Sequence, residues 1–278
     1  MRRFQIDPDL IDAVRGSADG EALHDSARPD AGGSEGAGRD RPLVPLSPGD
    51  ANHVRNVLRL QPGAPVRLFD GRGVEYDARI ARIDGGGVLA AVIGATRPET
   101  ESPTAITIAQ GFLKDKKMDT LVRQLTELGV SRWIPYFADR SVARPDPKRL
   151  RARRERWQKI AAESLKQCRR SRIPDISGVH SFDEMLHAAA DADLRILFWE
   201  KAPETSPTLF SLAAKKPYGS VFAVLGPEGG LTDAEVDAAA AAGFLTAALG
   251  PRILRAETAA VAACALLQYF LGDLGKNP

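Results

Sequence analysis

The sequence predicts an α/β protein of two domains: a small β-barrel carrying one helix, then a larger parallel sheet covered by helices on both faces. Three observations predict it. Across residues 43–96 apolar and polar side chains alternate in short runs separated by Asp/Gly turns, the pattern of antiparallel strands with one buried face. From Ala105 onward, apolar runs alternate with segments of helical period, as a parallel sheet built from βα units requires. Between them Arg97-Pro98-Glu99-Thr100-Glu101-Ser102-Pro103 is polar and proline-bearing, which marks a boundary between domains at residues 1–96 and 104–278.

The first seven residues, Met1 to Asp7, lack the apolar stretch of a secretory signal. Residues 15–41, RGSADGEALHDSARPDAGGSEGAGRDR, are nearly free of large apolar side chains. Such a stretch buries too little surface to offset its ordering entropy, so it is expected to be a disordered insertion on the surface. A short helix is expected over residues 52–59, with Val54, Val57 and Leu58 on one face and His53, Arg55 and Arg59 elsewhere. Strands follow at 65–69, 74–80 and 88–93, joined by Asp70-Gly71-Arg72-Gly73 and Asp84-Gly85-Gly86-Gly87.

In the second domain the expected strands are 105–110, 133–137, 194–198, 220–225 and 245–249. Helices are expected at 118–128, stopped by Gly129, then at 147–170, 180–190 and 257–271. On the helix at 118–128, Arg123 and Glu127 have the i, i+4 spacing of a salt bridge.

Composition bounds the chemistry. The 278 residues are 44% hydrophobic, enough for a sizeable core, and no apolar run approaches the ~20 residues of a membrane span. Cys168 and Cys264 form no CxxC or Cys/His cluster, which points to a reducing cytoplasm and to neither a disulfide framework nor a metal site. The net charge of +2 hides an uneven distribution. Residues 148–172, KRLRARRERWQKIAAESLKQCRRSR, contain only Glu155 and Glu163 against a dense basic run, and Trp157 lies within it. That density predicts a polyanionic partner, RNA, with Arg169, Arg170 and Arg172 among its contacts. Lys114, Lys116 and Lys117 form a second basic cluster after a strand, and His53, Arg55 and Arg59 are the candidates on the barrel.

Three strands of the second domain end in unusual loops. Phe198 is followed by Trp199-Glu200-Lys201, Leu225 by Gly226-Pro227-Glu228-Gly229-Gly230, and Leu249 by Gly250-Pro251-Arg252-Ile253-Leu254-Arg255-Ala256-Glu257-Thr258. In open α/β sheets ligands bind outside the carboxyl ends of strands, so these loops are expected to converge on one crevice. Gly226, Gly229 and Gly230 let the backbone approach a ligand closely, and Thr232 with Glu235 reads as a capping box opening a helix. No strand is followed by GxGxxG, and GxxxxGK[ST] is absent, which argues against a dinucleotide fold and against a P-loop nucleotide hydrolase. An adenine ring held by backbone groups among Leu225, Leu249, Ile253 and Leu254 suits such loops better.

These residues carry a resemblance. Leu225-Gly226-Pro227-Glu228-Gly229-Gly230-Leu231 together with Leu249-Gly250-Pro251-Arg252-Ile253-Leu254-Arg255-Ala256-Glu257-Thr258-Ala259 resembles the RsmE family of 16S rRNA uridine-N3 methyltransferases, within the SPOUT superfamily. His53-Val54-Arg55-Asn56-Val57-Leu58-Arg59 is similar to the signature helix of the family's PUA-like barrel, and residues 114–130 and 157–174 match in order and spacing. Apart from residues 15–41, the likeness covers nearly the whole chain. It implies a trefoil knot near the C-terminus, S-adenosylmethionine bent into it, a homodimer whose interface borders the site, and the small ribosomal subunit as partner. The cofactor is expected against Phe198, Trp199, Glu200, Leu225, Gly226, Pro227, Gly229, Gly230, Leu249, Gly250, Ile253, Leu254, Ala256 and Thr258.

Methyl transfer to uracil N3 requires orientation of the donor, loss of the N3 proton and stabilisation of the uracil anion. Arg255 is the first catalytic candidate, because a guanidinium fork holds a phosphate or a developing charge on a uracil oxygen; its structural alternative is a pairing with Glu257 or Glu228. Glu228 is the second candidate, orienting loop or base, with fixation of neighbouring backbone amides as the alternative. Glu257 complements the dipole of the last helix. Other readings stay open at this point. A ribose 2′-O-methyltransferase of the same superfamily would carry a Ser-Leu-Asn stretch where this chain has Leu254-Arg255-Ala256-Glu257-Thr258, and a non-catalytic ribosome-assembly factor would need no adenosine pocket.

Overall fold

The computed structural model describes residues 2–17, 41–114, 116–214 and 217–275. They form two compact units, Met1–Thr100 joined by Arg169–Arg172, and Glu101–Cys168 with Ile173–Pro278. The first unit thus recruits four residues from beyond the expected boundary at 97–103. No helix among the described residues is long and apolar enough to cross a membrane. None of the described His, Cys, Asp and Glu side chains group in threes that would hold a metal ion.

The first unit is a five-stranded mixed sheet. Its strands are β1 (Arg2–Gln5), β2 (Leu43–Pro45), β3 (Pro65–Phe69), β4 (Glu75–Asp84) and β5 (Gly87–Thr96), in the order β1-β3-β4-β5-β2. β1 runs parallel to β3 and the remaining pairs are antiparallel. Strand alternation turns Val66, Leu68, Tyr76, Ala78, Ile80, Val88 and Ala90 inward to a core shared with Phe4, Val44 and Val54. Asp70 fixes the first hairpin turn, its Oδ1 accepting from the amides of Arg72 at 2.7 Å and Val74 at 3.0 Å. The segment 169–172 docks here through backbone: the Gly73 N–H donates to the Ser171 carbonyl at 3.1 Å, and Arg3 Nη2 donates to the Arg170 carbonyl at 3.0 Å.

Two features depart from the sequence reading. Helix α1 (Pro8–Ser17) occupies the start of the expected insertion, so residues 15–17 are helical; residues 18–40 lie outside the described residues. The helix expected over 52–59 is instead a short α2 (Pro48–Asn52) running into a π-helical turn, His53–Val57, closed by the Leu58 N–H on the His53 carbonyl at 2.9 Å. Widening the turn to i→i+5 rotates the apolar stripe. Val54 stays fully buried, while Val57, expected beside it, is 63% exposed.

The second unit is built on a parallel sheet. Its strands are β6 (Ala105–Gly111), β7 (Arg132–Phe137), β8 (Asp175–Ile176), β9 (His180–Ser181), β10 (Leu194–Phe198), β11 (Ser220–Leu225) and β12 (Leu245–Ala247). The order is β12-β10-β11-β6-β7-β8, with β9 also pairing β7, and every ladder is parallel. The helices are α3 (Lys117–Glu127), α4 (Pro147–Cys168), α5 (Phe182–His187), α6 (Leu209–Ala213), α7 (Asp233–Ala241) and α8 (Ala256–Leu271). The central strands are predominantly apolar because both faces are covered. On one face Ile106, Ile108, Ile196 and Ala223 pack with α3, α4 and α8; on the other Leu197, Phe222 and Val224 pack with α5 and α7.

Helix α4 is the basic helix, and its buried residues include Trp157, Ala161 and Leu165. Trp157 is fully buried, stacks edge-on to Trp133 at 5.0 Å, and donates Nε1–H to Asp119 Oδ1 at 3.0 Å. It is a core residue, so it adds nothing to the case for RNA on this helix. The expected helix at 180–190 begins two residues later, because Ser181 and Glu184 form a capping box. Arg123 and Glu127 are both exposed and make no ion pair with each other or with any other described residue. Cys264 is buried in the core among α8 and β6 residues, and Cys168 is partly buried.

Candidate active site

Strands β10, β11 and β12 lie in register, bringing the carboxyl ends at Phe198, Leu225 and Ala247 to one end of the sheet. The three predicted loops leave from that end. The Trp199 N–H donates to the Ala247 carbonyl at 2.9 Å and so ties the first loop to the third. The Trp199 Nε1 is buried and has no hydrogen-bond partner among the described residues.

The second loop is held from below by close backbone packing. A Cβ on Gly111, the last residue of β6, would stand 2.4 Å from Pro227 N and 2.8 Å from the Gly226 carbonyl carbon. One on Gly229 would stand 2.9 Å from Arg140 Cβ. Gly230 has φ +70° and donates its N–H to the Pro227 carbonyl at 3.0 Å, completing the turn. Fully buried Gln110 donates Nε2–H to the Gly226 carbonyl at 2.9 Å, and Tyr136 donates its hydroxyl to the Leu225 carbonyl at 3.0 Å. Burial, and then the Glu235 carboxylate, push the Tyr136 phenol well above its ordinary pKa. The predicted capping box is formed by Thr232 and Glu235, and Glu235 Oε1 also accepts from the Asp139 amide at 2.8 Å.

The third loop is the opposite case. Among the described residues, no backbone N–H or C=O of residues 248–254 takes part in a hydrogen bond. Gly250 has φ +86°, Leu249 packs partly against the core, and Ile253 is 85% exposed. A run of free backbone donors and acceptors beside apolar side chains is what a heterocycle needs for recognition without side-chain charge.

Arg255 is the N-cap of α8, extended at φ −63° and ψ 148°. It is exposed and pairs with neither Glu257 nor Glu228, nor with any other described residue. Both carboxylates are taken by Lys117, whose Nζ is 3.3 Å from Glu228 Oε1 and 3.3 Å from Glu257 Oε2. Glu228 Oε1 also accepts from the Lys114 amide at 3.1 Å. Burial works to raise the Glu228 pKa, but the Lys114 amide, its own amide and the Lys117 ammonium outweigh it and hold the carboxyl below its ordinary value. Lys117 loses by burial and gains more from the two carboxylates, so its pKa is raised.

The candidates therefore divide. Phe198 and Leu225 are buried as strand ends, while Trp199, Gly226, Pro227, Gly229, Gly230, Leu249, Gly250, Ile253 and Leu254 lie in the loops. Glu200 is exposed beside Gly230, and Ala256 and Thr258 lie on the first turn of α8. Lys117, expected to meet phosphate, is committed to carboxylates. Arg170 is 4% exposed, so its guanidinium is withdrawn from the surface expected for it. His53, Arg55, Arg59, Arg169 and Arg172 are exposed in the first unit, and Lys114 and Lys116 in the second. Gln110, Tyr136 and Arg140 were not singled out from sequence. Gln110 had a signal, an amide closing the apolar run Ile106 to Ala109; the other two act through contacts distant in sequence.

Comparison with known proteins agrees with this geometry. A family model described as an RNA methyltransferase domain matches residues 100–268, and one described as an RNA methyltransferase PUA domain matches residues 46–93. The ribosomal RNA small subunit methyltransferase E of Bacillus subtilis is 34% identical over 233 residues, covering 83% of this chain and 91% of the relative. Its counterpart in Mycobacterium bovis is 30% identical over 231 residues, covering 81% of this chain and 86% of the relative. Among solved structures, a ribosomal RNA small subunit methyltransferase E from Neisseria gonorrhoeae bound to S-adenosyl methionine superposes with a TM-score of 0.77 at 26% identity, covering 99% of each chain.

Proposed function

The chain belongs to the ribosomal RNA small subunit methyltransferase E family, and on that premise we propose that it methylates N3 of a uridine in 16S rRNA at the crevice formed by the loops after β10, β11 and β12. The observation that carries this reading is the pairing of residues 248–254, with their free backbone groups, and an unpartnered Arg255 at the very next position.

The residues fit S-adenosylmethionine. Gly111 and Gly229 pack so closely that side chains would displace the loop, and the Trp199 indole N–H stands ready for an acceptor. The backbone of 226–230 and 248–254 would hold the adenosine, with Leu225, Leu249, Ile253 and Leu254 as apolar walls. When bound, the cofactor supplies an electrophilic methyl group on a sulfonium. The chain's part is orientation, exclusion of water and charge stabilisation. Arg255 pairs with the anionic uracil oxygen or an adjoining phosphate. Glu228 acts through the loop and not as the proton acceptor, because a carboxylate held below its ordinary pKa is a poor base toward uracil N3–H. The N3 proton leaves to water before the methyl group is transferred, and the electron pair of the broken S–CH3 bond stays on sulfur.

RNA is gripped by His53 and the exposed cations Arg55, Arg59, Arg169 and Arg172 of the first unit and by Lys114 and Lys116 of the second. The trefoil knot that the family resemblance implies we assign to the stretch of chain between β12 and α8. A second copy of the chain is the partner for the apolar stripe of α8, where Leu266 is 38% and Tyr269 59% exposed, close to Phe210 at 71%. The setting is the cytoplasm.

The test is transfer of a labelled methyl group to small ribosomal subunits lacking the modification, followed by alkaline digestion of the RNA. Label released in mononucleotides supports base methylation. Label retained in an alkali-resistant dinucleotide identifies ribose 2′-O-methylation and overturns the assignment to N3.

A further inference from the structure

Three elements meet at one ammonium. Lys117 opens α3, Glu228 lies in the loop after β11, and Glu257 lies in the first turn of α8. Among the described residues neither carboxylate pairs with any other cation. Glu257 Oε2 is buried, and among the described residues its charge is compensated by Lys117 at 3.3 Å. Without it Glu228 would keep the Lys114 amide, but Glu257 would be left with a partly buried charge and no cation, which is costly. The cation nearest to Glu257 along the chain is Arg255. Its guanidinium is long, permanently charged, without a partner among the described residues, and rooted two residues before Glu257.

We propose that Lys117 is a positioning residue that occupies Glu228 and Glu257 and thereby keeps Arg255 free to meet the RNA. The proposal rests on the reading of Arg255 as the substrate-facing cation. Burial opposes the charge on Lys117, yet the two carboxylates raise its pKa, so the ammonium persists across the physiological range. A tether alone would be satisfied by any contact joining the three elements. A guard makes a different demand: loss of Lys117 harms the enzyme through the carboxylates it leaves behind, and removing a carboxylate repairs the harm.

The experiment compares Lys117→Met, Lys117→Arg, Lys117→Met/Glu257→Gln and Arg255→Ala. It uses kcat/KM for methyl transfer to small subunits, the thermal midpoint, and the Nε–H resonance of Arg255 in the cofactor-free protein, assigned by its loss in Arg255→Ala. Lys117→Met is expected to shift that resonance and lower kcat/KM by roughly tenfold, the ratio for one charge-assisted hydrogen bond competing for Arg255. Lys117→Arg keeps the wild-type resonance, and the double variant returns resonance and kcat/KM toward wild type whatever its thermal midpoint. An unmoved resonance in Lys117→Met, or a loss that the Glu257→Gln change fails to repair, overturns the proposal. Wild-type turnover by Arg255→Ala overturns it by removing its premise; the resonance separates that case, since it reports capture of Arg255 independently of turnover.

Discussion

Replacing Gly111 with alanine puts one methyl group where the loop after β11 rests on the end of β6. The new Cβ would stand 2.4 Å from Pro227 N, 2.6 Å from Pro227 Cδ and 2.8 Å from the Gly226 carbonyl carbon. Ordinary carbon contacts lie near ~3.5–4.0 Å, so the overlap is about 1 Å against backbone and a proline ring, neither of which can swing aside. Overpacking of this kind costs about 1–3 kcal/mol, and at roughly 2–4 °C per kcal/mol the thermal midpoint should fall by about 2–12 °C. If the loop yields instead, the strain appears in cofactor affinity. The loop must rise off Gln110, whose Nε2–H holds the Gly226 carbonyl at 2.9 Å. The assay is calorimetric titration with S-adenosylmethionine beside a thermal melt, with Gly178→Ala as control because nothing lies within 4 Å of a Cβ there. Gly111→Ala is expected to lose stability, affinity or both, and the control neither. Wild-type midpoint and affinity for Gly111→Ala would refute the claim that this close approach shapes the cofactor loop.

Three further outcomes follow from particular residues. Trp157→Ala should cost about 3–5 kcal/mol in urea unfolding, as a fully buried indole is lost, whereas Trp157→Phe should leave RNA affinity unchanged. Arg169 sits at φ +66°, so Arg169→Gly relieves strain of about 1–2 kcal/mol against a comparable gain in unfolded-chain entropy and should be near neutral, while Arg169→Val should be clearly destabilising in the same assay. Glu228 has a folded pKa below its ordinary value; its contribution to stability is therefore complete above the ordinary carboxylate range and is lost as pH falls through the folded pKa. Melts across the acid range should show a shallower acid loss for Glu228→Gln than for wild type.

How much was legible in the sequence differs by element. The parallel sheet was readable because β6, β10 and β11 are largely buried on both faces and so are predominantly apolar, as in Val221-Phe222-Ala223-Val224-Leu225. Two of the three site loops, those after Leu225 and Leu249, announced themselves by Gly-Pro at the strand end. The π-helical turn was not readable: Val54, Val57 and Leu58 have α-helical spacing, and only the His53–Leu58 hydrogen bond reveals that Val57 points outward. Trp157 and Arg170 looked like RNA contacts because their neighbours in sequence are basic, but burial is decided by tertiary packing. Likewise, Lys117 pairs with Glu228 and Glu257 across more than a hundred residues, a relation that local charge patterning does not encode. Helix α1 was hidden by the composition of the segment that follows it.

The central claim is that this crevice methylates a uracil ring nitrogen with Arg255 as the charge partner. Its most direct test is mass spectrometry of nucleosides from small ribosomal subunits treated with S-adenosylmethionine and either the wild-type chain or Arg255→Ala. The account predicts 3-methyluridine with wild type and a rate lower by roughly 10²-fold or more with Arg255→Ala, the scale of losing one charge-stabilising donor. A product of 2′-O-methyluridine, or 3-methyluridine formed equally fast by Arg255→Ala, would contradict it.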